Sequence, residues 1–599
     1  MPASPPQAPT ADVSVPRRNA PLRWRILAAV GCTAVSAVMH LLTMQGPSRI
    51  MSDTNTYIEV AALLHGRPTL DAATPFRVGH GPLYGLATYV STLLVEDWQR
   101  AAQLAALLSS ILVAPVVCLI AWQLDRRLLS GLLAGMAAAL SAALTSMGSV
   151  PMSESLFVLL TALYVAASIT FLRRPGVATG AATGLFAGLA WATRGPGIAY
   201  PLITLVALVA AGPVSIPGYR EARFVVTAFM RSLAGFRRKA PMNRGTTNGS
   251  NRFLHVPAAL ALVLAFVVAG KTPTLLLCPY VGDRPPSNIG SYAKLQLVWQ
   301  GSRYTDVPYE FADLQYRLND DCTNHLLAEV INRPWSVLLS EFGRGQLLAY
   351  LANLRRNVTV VMPELLYPLA VTFLPLAIGM VLLWRRSQTG VLVLLLLFGL
   401  LHLVAIPLAG PDSRYVLPLL TVAMPAIGIG MGELAGYGGH SDRGRTLLAR
   451  AAAAVLMVLL VALNVYGVCQ ETSEEDTQET YRRACTWLSG RGTGPEDVFL
   501  VFHRNAYTFL GCRRTVPLPR DSLDRVARYC RHVGADYVIT STSRGVPHNR
   551  HLAEAVDTGG ESLIREGVEF RPIARFGDPA EEEIRVFELH IGPKGSAQH

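Results

Sequence analysis

Charged and aromatic side chains stand at five points of an otherwise apolar chain, each beside a long apolar run. The first stretch, RIMSDTNTYIEVAALLHG at 49–66, carries Asp53 and Tyr57. A carboxylate there is suited to general-base catalysis, because it can accept a proton from a nucleophile. The other four stretches are FRVGHGPLYGL with Arg77, His80 and Tyr84, SVPMSESLF with Glu154, GLAWATRGPG with Arg194, and AGPDSRYVLPLL with Asp412, Arg414 and Tyr415.

The arginines in these stretches indicate an anionic ligand, because a guanidinium group binds phosphate or carboxylate through two parallel hydrogen bonds. Each polar residue also has a structural interpretation. An arginine at a helix end can snorkel to the membrane interface, and tyrosines there can form an aromatic belt. Asp412 suits a helix N-cap, Glu154 suits the positive end of a helix dipole, His80 can order a turn, and Asp53 can be a solvated loop acid.

The composition places these residues in a polytopic α-helical membrane protein. Of the 599 residues, 51% are hydrophobic and 16% are charged, whereas a soluble domain carries about 25% charged residues. Apolar runs of the length that crosses a bilayer, about 20 residues, recur along the chain. We predict eleven spans, near 26–45, 101–122, 131–148, 154–172, 178–193, 197–212, 254–271, 365–384, 389–408, 414–433 and 448–468.

Basic clusters predict the orientation of these spans, because the cytoplasmic side of a membrane protein is enriched in Lys and Arg. With eleven spans, every cluster falls on one side, which also accounts for the net charge of +12 without a nucleic-acid partner. The N-terminus is therefore predicted to be cytoplasmic and the five polar stretches to face outward. The clusters are Arg17–Arg25, Arg126–Arg127, Arg173–Arg174, Arg220–Arg252, Arg385–Arg386 and Arg443–Arg445.

The sequence predicts three regions. Residues 1–25, rich in Pro, Ala and Ser, are expected to be a disordered cytoplasmic tail. Residues 26–469 form the transmembrane domain, with outer loops at 46–100 and 272–364 and a basic cytoplasmic loop at 213–253. Residues 470–599 alternate helical spacing with strand-like runs such as EDVFLVFH, ADYVITSTS and IRVFELHI, which predicts a small extracytoplasmic α/β domain.

Taken in order, the five stretches resemble motifs of the GT-C superfamily of glycosyltransferases, in the branch of the protein O-mannosyltransferases and the lipid A aminoarabinose transferase. GHGPLYGL is similar to a His/Lys-Pro-Pro-Leu-Tyr motif, with Gly81 at the first Pro. SESLF is similar to a Ser-Glu-Pro-Leu-Phe motif, with Ser155 at the Pro. GLAWATRGPG and DSRYVLPLL are similar to a Gly-Leu-x-x-x-Thr-Arg turn and a Ser-Arg-Tyr-x-x-Pro segment. The resemblance covers about 26–433.

The resemblance implies an enzyme that transfers a sugar from a polyprenyl-phosphate donor to a lipid, glycan or protein acceptor at the outer face of the plasma or inner membrane. Asp53 is then the base or positions the acceptor, and Glu154 is a second catalytic acid that helps to orient the acceptor or an arginine of the pocket. The substrate-binding residues are Tyr57, Arg77, His80, Tyr84, Arg194, Arg414 and Tyr415. No cofactor is required, although some members of the superfamily bind a divalent metal ion; no metal-ligand spacing compels one here.

Two other functions are compatible with a polytopic membrane protein. A transporter or flippase needs ionisable residues within its spans and shows repeats of hydropathy, and this sequence has few of the former and no evident repeat. A non-catalytic scaffold would leave the outward acids and arginines without a role.

Overall fold

The computed structural model describes residues 21–43, 52–67, 81–211, 255–281, 289–305, 332–366, 369–387, 389–405, 413–436, 478–494, 496–503, 505–519, 521–541, 562–578 and 582–592, with a few isolated positions between these ranges. The first helices are α1 (Leu22–Thr43), α2 (Ser52–Leu64), α3 (Leu83–Thr92), α4 (Trp98–Asp125), α5 (Leu128–Ala139), α6 (Ala142–Ser149), α7 (Ser153–Arg173), α8 (Val177–Thr193) and α9 (Tyr200–Ala211). They are followed by α10 (His255–Val281), α11 (Ile289–Ser302), α12 (Trp335–Arg356), α13 (Met362–Leu365), α14 (Leu369–Arg386), α15 (Thr389–Leu400), α16 (Ser413–Val416) and α17 (Leu420–Gly436).

The helices support a multi-pass membrane protein. Among the described residues, five helices are long and apolar enough to cross a bilayer, and the pair α5 and α6, bent by 49°, makes a sixth if it is one span. Shorter apolar helices cover Val177–Thr193, Gly195–Ala211 and Thr389–Val404. Every predicted span before 448–468 overlaps a helix, but the count of about eleven is not confirmed. Most of 448–468 lies outside the described residues.

Small residues let the helices pack closely. Gly180, Gly184 and Gly188 recur at every fourth position of α8 and face α10. A Cβ atom on these glycines would lie 2.2, 2.0 and 2.4 Å from the carbonyl oxygens of Ala258, Leu262 and Phe266. A stripe of glycines at this spacing is the usual way for two membrane helices to bring their backbones into contact.

The two ends of the bundle carry different charged groups. At one end, Arg386 contacts both Asp125, at 3.2 Å, and Glu433, at 3.0 Å, and Arg127 contacts Glu433 at 2.6 Å. These contacts join the ends of α4, α14 and α17. Arg173, at the C-terminal end of α7, donates to the carbonyl oxygen of Gln123 in α4 and so lies at the same end. Glu154 begins α7 and lies about 30 Å away along the helix.

The C-terminal unit, defined here as residues 478–592, is a six-stranded sheet with helices. Its strands are β1 (Phe499–Val501), β2 (Thr515–Pro517), β3 (Tyr537–Ser541), β4 (Leu563–Arg565), β5 (Val568–Asp578) and β6 (Glu582–Ile591), and its helices are α18 (Glu479–Gly490), α19 (Ala506–Phe509) and α20 (Leu523–Val533). The order is β2-β1-β3-β6-β5-β4, with β1 parallel to β2 and β3 and the other pairs antiparallel.

Candidate active site

The centre of the candidate site is a buried ion pair. Glu154, in the first turn of α7, lies 2.5 Å from Nη1 of Arg194, the residue that ends α8. Their side chains are 1% and 10% exposed, so this arginine does not snorkel to the interface and this glutamate is not a solvated helix-start charge. Because an unpaired charge is costly to bury, each charged group offsets the cost of burying the other.

Arg414 connects this pair to Asp53. Its Nη1 atom lies 3.8 Å from Oε1 of Glu154 and 3.3 Å from Oδ2 of Asp53. The Asp53 side chain is 23% exposed, in contrast to that of Glu154. The two acids therefore differ in access: Asp53 is open to a molecule that approaches the site, whereas Glu154 is enclosed and holds the two guanidinium groups in place.

Two buried tyrosines pack beside the residues of the ion pair. The Tyr57 hydroxyl forms a 2.7 Å hydrogen bond with the Ser153 hydroxyl, and its ring meets that of Tyr84 edge-on at 4.8 Å. Both tyrosines are fully buried, and Tyr84 donates to the carbonyl oxygen of Ala102. Burial raises the pKa of Tyr57 above its ordinary value, so the phenol stays protonated. Their surroundings are those of core residues and not those of an aromatic belt.

Both departures from the motifs have a structural reason. A Cβ atom at Gly81 would lie 2.0 Å from the carbonyl oxygen of Ala192, and the Gly81 amide donates to the carbonyl oxygen of Thr193, next to Arg194. A proline at this position would clash and would lack the N–H. Ser155, which stands where the motif has its other proline, donates to the carbonyl oxygen of Met147 at 3.0 Å.

Helix α2, which carries Asp53, is held on two sides. Thr54 donates a 2.9 Å hydrogen bond to the carbonyl oxygen of Pro151, just before α7. Asn55, fully buried, donates to the amide oxygen of Asn505 and accepts a hydrogen bond from the Thr508 hydroxyl, both at 2.7 Å. The C-terminal unit therefore contacts the same helix turn that presents the accessible carboxylate.

The structure brings five of the predicted site residues into one network: Asp53, Tyr57, Glu154, Arg194 and Arg414. Tyr84 packs against this network through Tyr57. Tyr415 follows Arg414 in α16, but its side chain lies outside the described residues, as do Arg77, His80 and Asp412.

Two contributors were not predicted from sequence. Ser153 lies in the SVPMSESLF stretch, and its position directly before Glu154 is the feature of the sequence that could have indicated a role in the site. Its hydroxyl links Tyr57 to the ion pair, since Nη1 of Arg194 lies 3.4 Å from it. Asn55 also lies in a quoted stretch, but its partners follow it by 450 and 453 positions, which no local pattern indicates.

A metal site is not formed by the residues that the structure describes, since no three His, Cys, Asp or Glu side chains cluster there. Asp53 and Glu154 are each engaged by an arginine.

Comparison with known proteins gives a likeness of fold. No protein-family model and no curated protein sequence matches the chain. Among solved structures, ArnT from Cupriavidus metallidurans bound to undecaprenyl phosphate is 13% identical, with a TM-score of 0.51, over 93% of this chain and 97% of that one. The Archaeoglobus fulgidus oligosaccharyltransferase in complex with Zn and sulfate is 12% identical, with a TM-score of 0.52, over 89% of this chain and 70% of that one.

The same archaeal enzyme, AglB, in complex with an inhibitory peptide and a dolichol-phosphate is 12% identical, with a TM-score of 0.50, over 86% of this chain and 69% of that chain. The resemblance to GT-C glycosyltransferases that the sequence motifs indicated is confirmed at the level of the fold.

Proposed function

We propose that this protein is an integral membrane glycosyltransferase that takes a sugar from a polyprenyl-phosphate donor and passes it to an acceptor on the extracytoplasmic side. The observation that carries the proposal is the difference in exposure and in arginine contacts between two acids. Asp53 is accessible and touches one arginine, whereas Glu154 is enclosed and is shared by two. This arrangement suits transfer from a phosphate leaving group, which needs an accessible base beside fixed cations.

In the proposed reaction, Asp53 accepts the proton of the acceptor's nucleophilic O–H or N–H group. The acceptor atom forms a bond to the anomeric carbon as the bond from that carbon to the phosphate oxygen breaks. The electron pair leaves with the polyprenyl phosphate, which gains a negative charge. The Asp53 carboxylate is accessible to a substrate, and its Oδ2 atom lies 3.3 Å from Nη1 of Arg414.

Arg414 and Arg194 are proposed to stabilise the leaving phosphate. Glu154 holds both guanidinium groups, at 3.8 and 2.5 Å, so that neither has to be ordered when the donor binds. Fixed cations that face a developing negative charge lower the barrier without reorganisation during the reaction. Each arginine has five N–H donors, which leaves it able to bind a phosphate while it contacts an acid.

The solved structures with this fold support the choice of donor, since one has undecaprenyl phosphate bound and another dolichol-phosphate. The predicted orientation places the site outside the cytoplasm, because Arg127, Arg173 and Arg386 gather at the opposite end of the bundle. The C-terminal unit is proposed to be an extracytoplasmic domain that contacts the catalytic helix α2.

The test is transfer of label in membrane vesicles that contain the protein. A polyprenyl-phosphate donor labelled in its sugar is incubated with a cell-envelope extract, and label is followed into the acceptor fraction. Transfer that depends on the protein supports the proposal. Movement of intact donor between leaflets, with no cleavage of the sugar–phosphate bond, would show a flippase instead. Arg528→Gln, which changes an exposed side chain of the C-terminal unit, is the control variant and should transfer label like the wild type.

A further inference from the structure

A cavity of about 420 Å³ lies between the C-terminal unit and the far end of helix α2. It is lined by Arg67, just beyond α2, and by Ser489, Thr493 and the segment 509–513 of the C-terminal unit. Since α2 is 13 residues long, the cavity is about 20 Å from Asp53. It is therefore separate from the candidate active site, and its volume is in the range of small-molecule sites.

The cavity is electropositive. Arg67 and Arg513 both line it, and none of the described residues in its wall is acidic. Neither guanidinium group forms an ion pair with a described side chain. Arg513 uses Nη1 to donate to the carbonyl oxygen and the hydroxyl of Thr493, which fixes its orientation. Its other N–H groups have no hydrogen-bond acceptor among the described residues, so they can donate to a ligand.

A buried hydroxyl group belongs to one of the residues in the wall. Among the residues that the structure describes, the Ser489 Oγ atom has no hydrogen-bond partner, and burial of a polar group without a partner is unfavourable. Ser489 lines the same cavity as the two arginines, and a rotation about its Cα–Cβ bond would let its hydroxyl donate to an acceptor-rich ligand there. Such buried groups without partners commonly indicate a ligand or an ion.

Cys512 does not change this chemistry. It lines the cavity, and burial raises the pKa of its thiol to about 12, against the opposing effect of nearby Arg67. The thiol is therefore neutral near pH 7 and contributes neither negative charge nor a reactive thiolate. Glu59, whose charge acts on the same thiol, is buried in α2 and is not part of the wall.

We propose that this cavity binds a phosphate- or carboxylate-bearing molecule through Arg67, Arg513 and the Ser489 hydroxyl. The two arginines come from opposite sides of the interface, so the bound anion would also bridge α2 to the C-terminal unit. Arginine pairs suit such ligands because each presents a planar fork of donors. The cavity has room for the body of the molecule as well as for its anionic group.

The experiment uses the full-length protein in phosphatidylcholine nanodiscs and measures its melting temperature. Inorganic phosphate or citrate is titrated in at constant ionic strength against chloride, because a ligand that binds only the folded state raises stability. A second arm replaces part of the phosphatidylcholine by phosphatidylglycerol with no added anion. A rise in the first arm assigns a soluble anion, and a rise in the second a lipid headgroup.

Arg67→Gln and Arg513→Gln are each expected to weaken the apparent affinity about ten- to a hundredfold, the loss of one charged hydrogen bond. Ser489→Ala should weaken it less and should raise the melting temperature of the ligand-free protein. Arg528→Gln makes the same change of charge away from the cavity and should leave the titration unchanged. Absence of a rise in both arms, or an equal loss in Arg528→Gln, would overturn the proposal. Both results are independent of sugar transfer.

Discussion

The side-chain amide of Asn55 donates a 2.7 Å hydrogen bond to the amide oxygen of Asn505, 450 positions later in the chain. Asn55 follows Asp53 by two residues in helix α2, and it is fully buried at the contact. The hydroxyl of Thr508 completes the contact by donating to Asn55 at 2.7 Å. The C-terminal unit thus fixes the position of the helix turn that carries the proposed base.

Asn505→Leu is expected to lower the transfer rate and to destabilise the protein by about 1–3 kcal/mol, because the buried Asn55 amide loses its acceptor. Asn505→Asp keeps an acceptor oxygen in the same place but buries a charge, so it should retain more of the rate than Asn505→Leu while it also lowers stability. The measurement is kcat and KM for transfer together with the melting temperature. If Asn505→Leu lowers stability but leaves kcat unchanged, the contact holds the fold and does not position Asp53.

Asp53→Asn is expected to reduce the transfer rate by a factor of about 10² to 10⁴, which is the usual contribution of a general base. The fold should survive, because the partly exposed pair with Arg414 is worth at most about 1 kcal/mol. Initial rates at equal amounts of folded protein give the comparison. Turnover like that of the wild type in Asp53→Asn would reject this residue as the base.

Glu154→Gln is expected to cost about 3–5 kcal/mol of stability, because it leaves the guanidinium of Arg194 buried beside a neutral partner. The double variant Glu154→Gln with Arg194→Gln should regain part of that stability while transfer stays low. Denaturation midpoints in detergent are the measurement. The control is Glu341→Gln, which removes an exposed pair with Arg333 at 3.6 Å and should cost less than about 1 kcal/mol.

Sequence reasoning located the apolar helices and most of the acids and arginines of the candidate site, because apolar runs and charged helix ends are local signals. It did not predict α11 and α12, which lie within the segment expected to be the outer loop 272–364. It also predicted the helices α18 and α20 and the strands β1, β3 and β6. Strand β5 was not predicted, although it runs over Val568–Asp578, since Pro572 and Gly577 interrupt its pattern and a bulge shifts its register. Such irregularity is typical of strands that contain these residues.

Relationships between distant residues were not predictable in the same way. Nothing near Ser153 shows that its hydroxyl meets Tyr57, and nothing near Arg67 shows that it shares a cavity with Arg513. Both depend on how the helices pack after the chain has folded. The roles of Asp53, Glu154 and the two arginines stay predictions until the variants above are measured.

Arg483→Cys is expected to react with a membrane-impermeant maleimide added to intact cells or spheroplasts, whereas Arg174→Cys should not. Both native side chains are exposed, and the basic clusters place them on opposite sides of the membrane. The described cysteines Cys32, Cys118, Cys485, Cys512 and Cys530 are buried. The side chains of three more, Cys278, Cys322 and Cys469, lie outside the described residues, so labelling of the wild-type chain is the blank. Labelling of Arg174→Cys from outside would show that the predicted orientation is wrong.

Arg414 and Arg194 should differ in how they tolerate substitution, because they differ in burial. If both bind the donor phosphate, Arg→Lys keeps the charge but loses the forked geometry, and it should weaken donor use less than Arg→Ala does. Loss of one charged hydrogen bond corresponds to about a ten- to hundredfold rise in KM for the donor or fall in kcat/KM. Arg194→Ala should also lower stability, since the buried Glu154 loses its 2.5 Å ion pair and keeps the longer 3.8 Å contact to Arg414.

Arg414→Ala therefore tests phosphate binding with less effect on stability than Arg194→Ala. The Arg414 side chain is 23% exposed, and Glu154 keeps its ion pair with Arg194 in this variant. The measurement is the initial rate against donor concentration with the acceptor saturating, for the Lys and Ala variants of both residues. Arg303→Ala, which removes an arginine that packs over the Trp299 ring at 4.5 Å and contacts none of the site residues, is the matched control. Donor kinetics that stay unchanged in Arg414→Ala would remove this arginine from the phosphate site and would leave that role to Arg77 and His80.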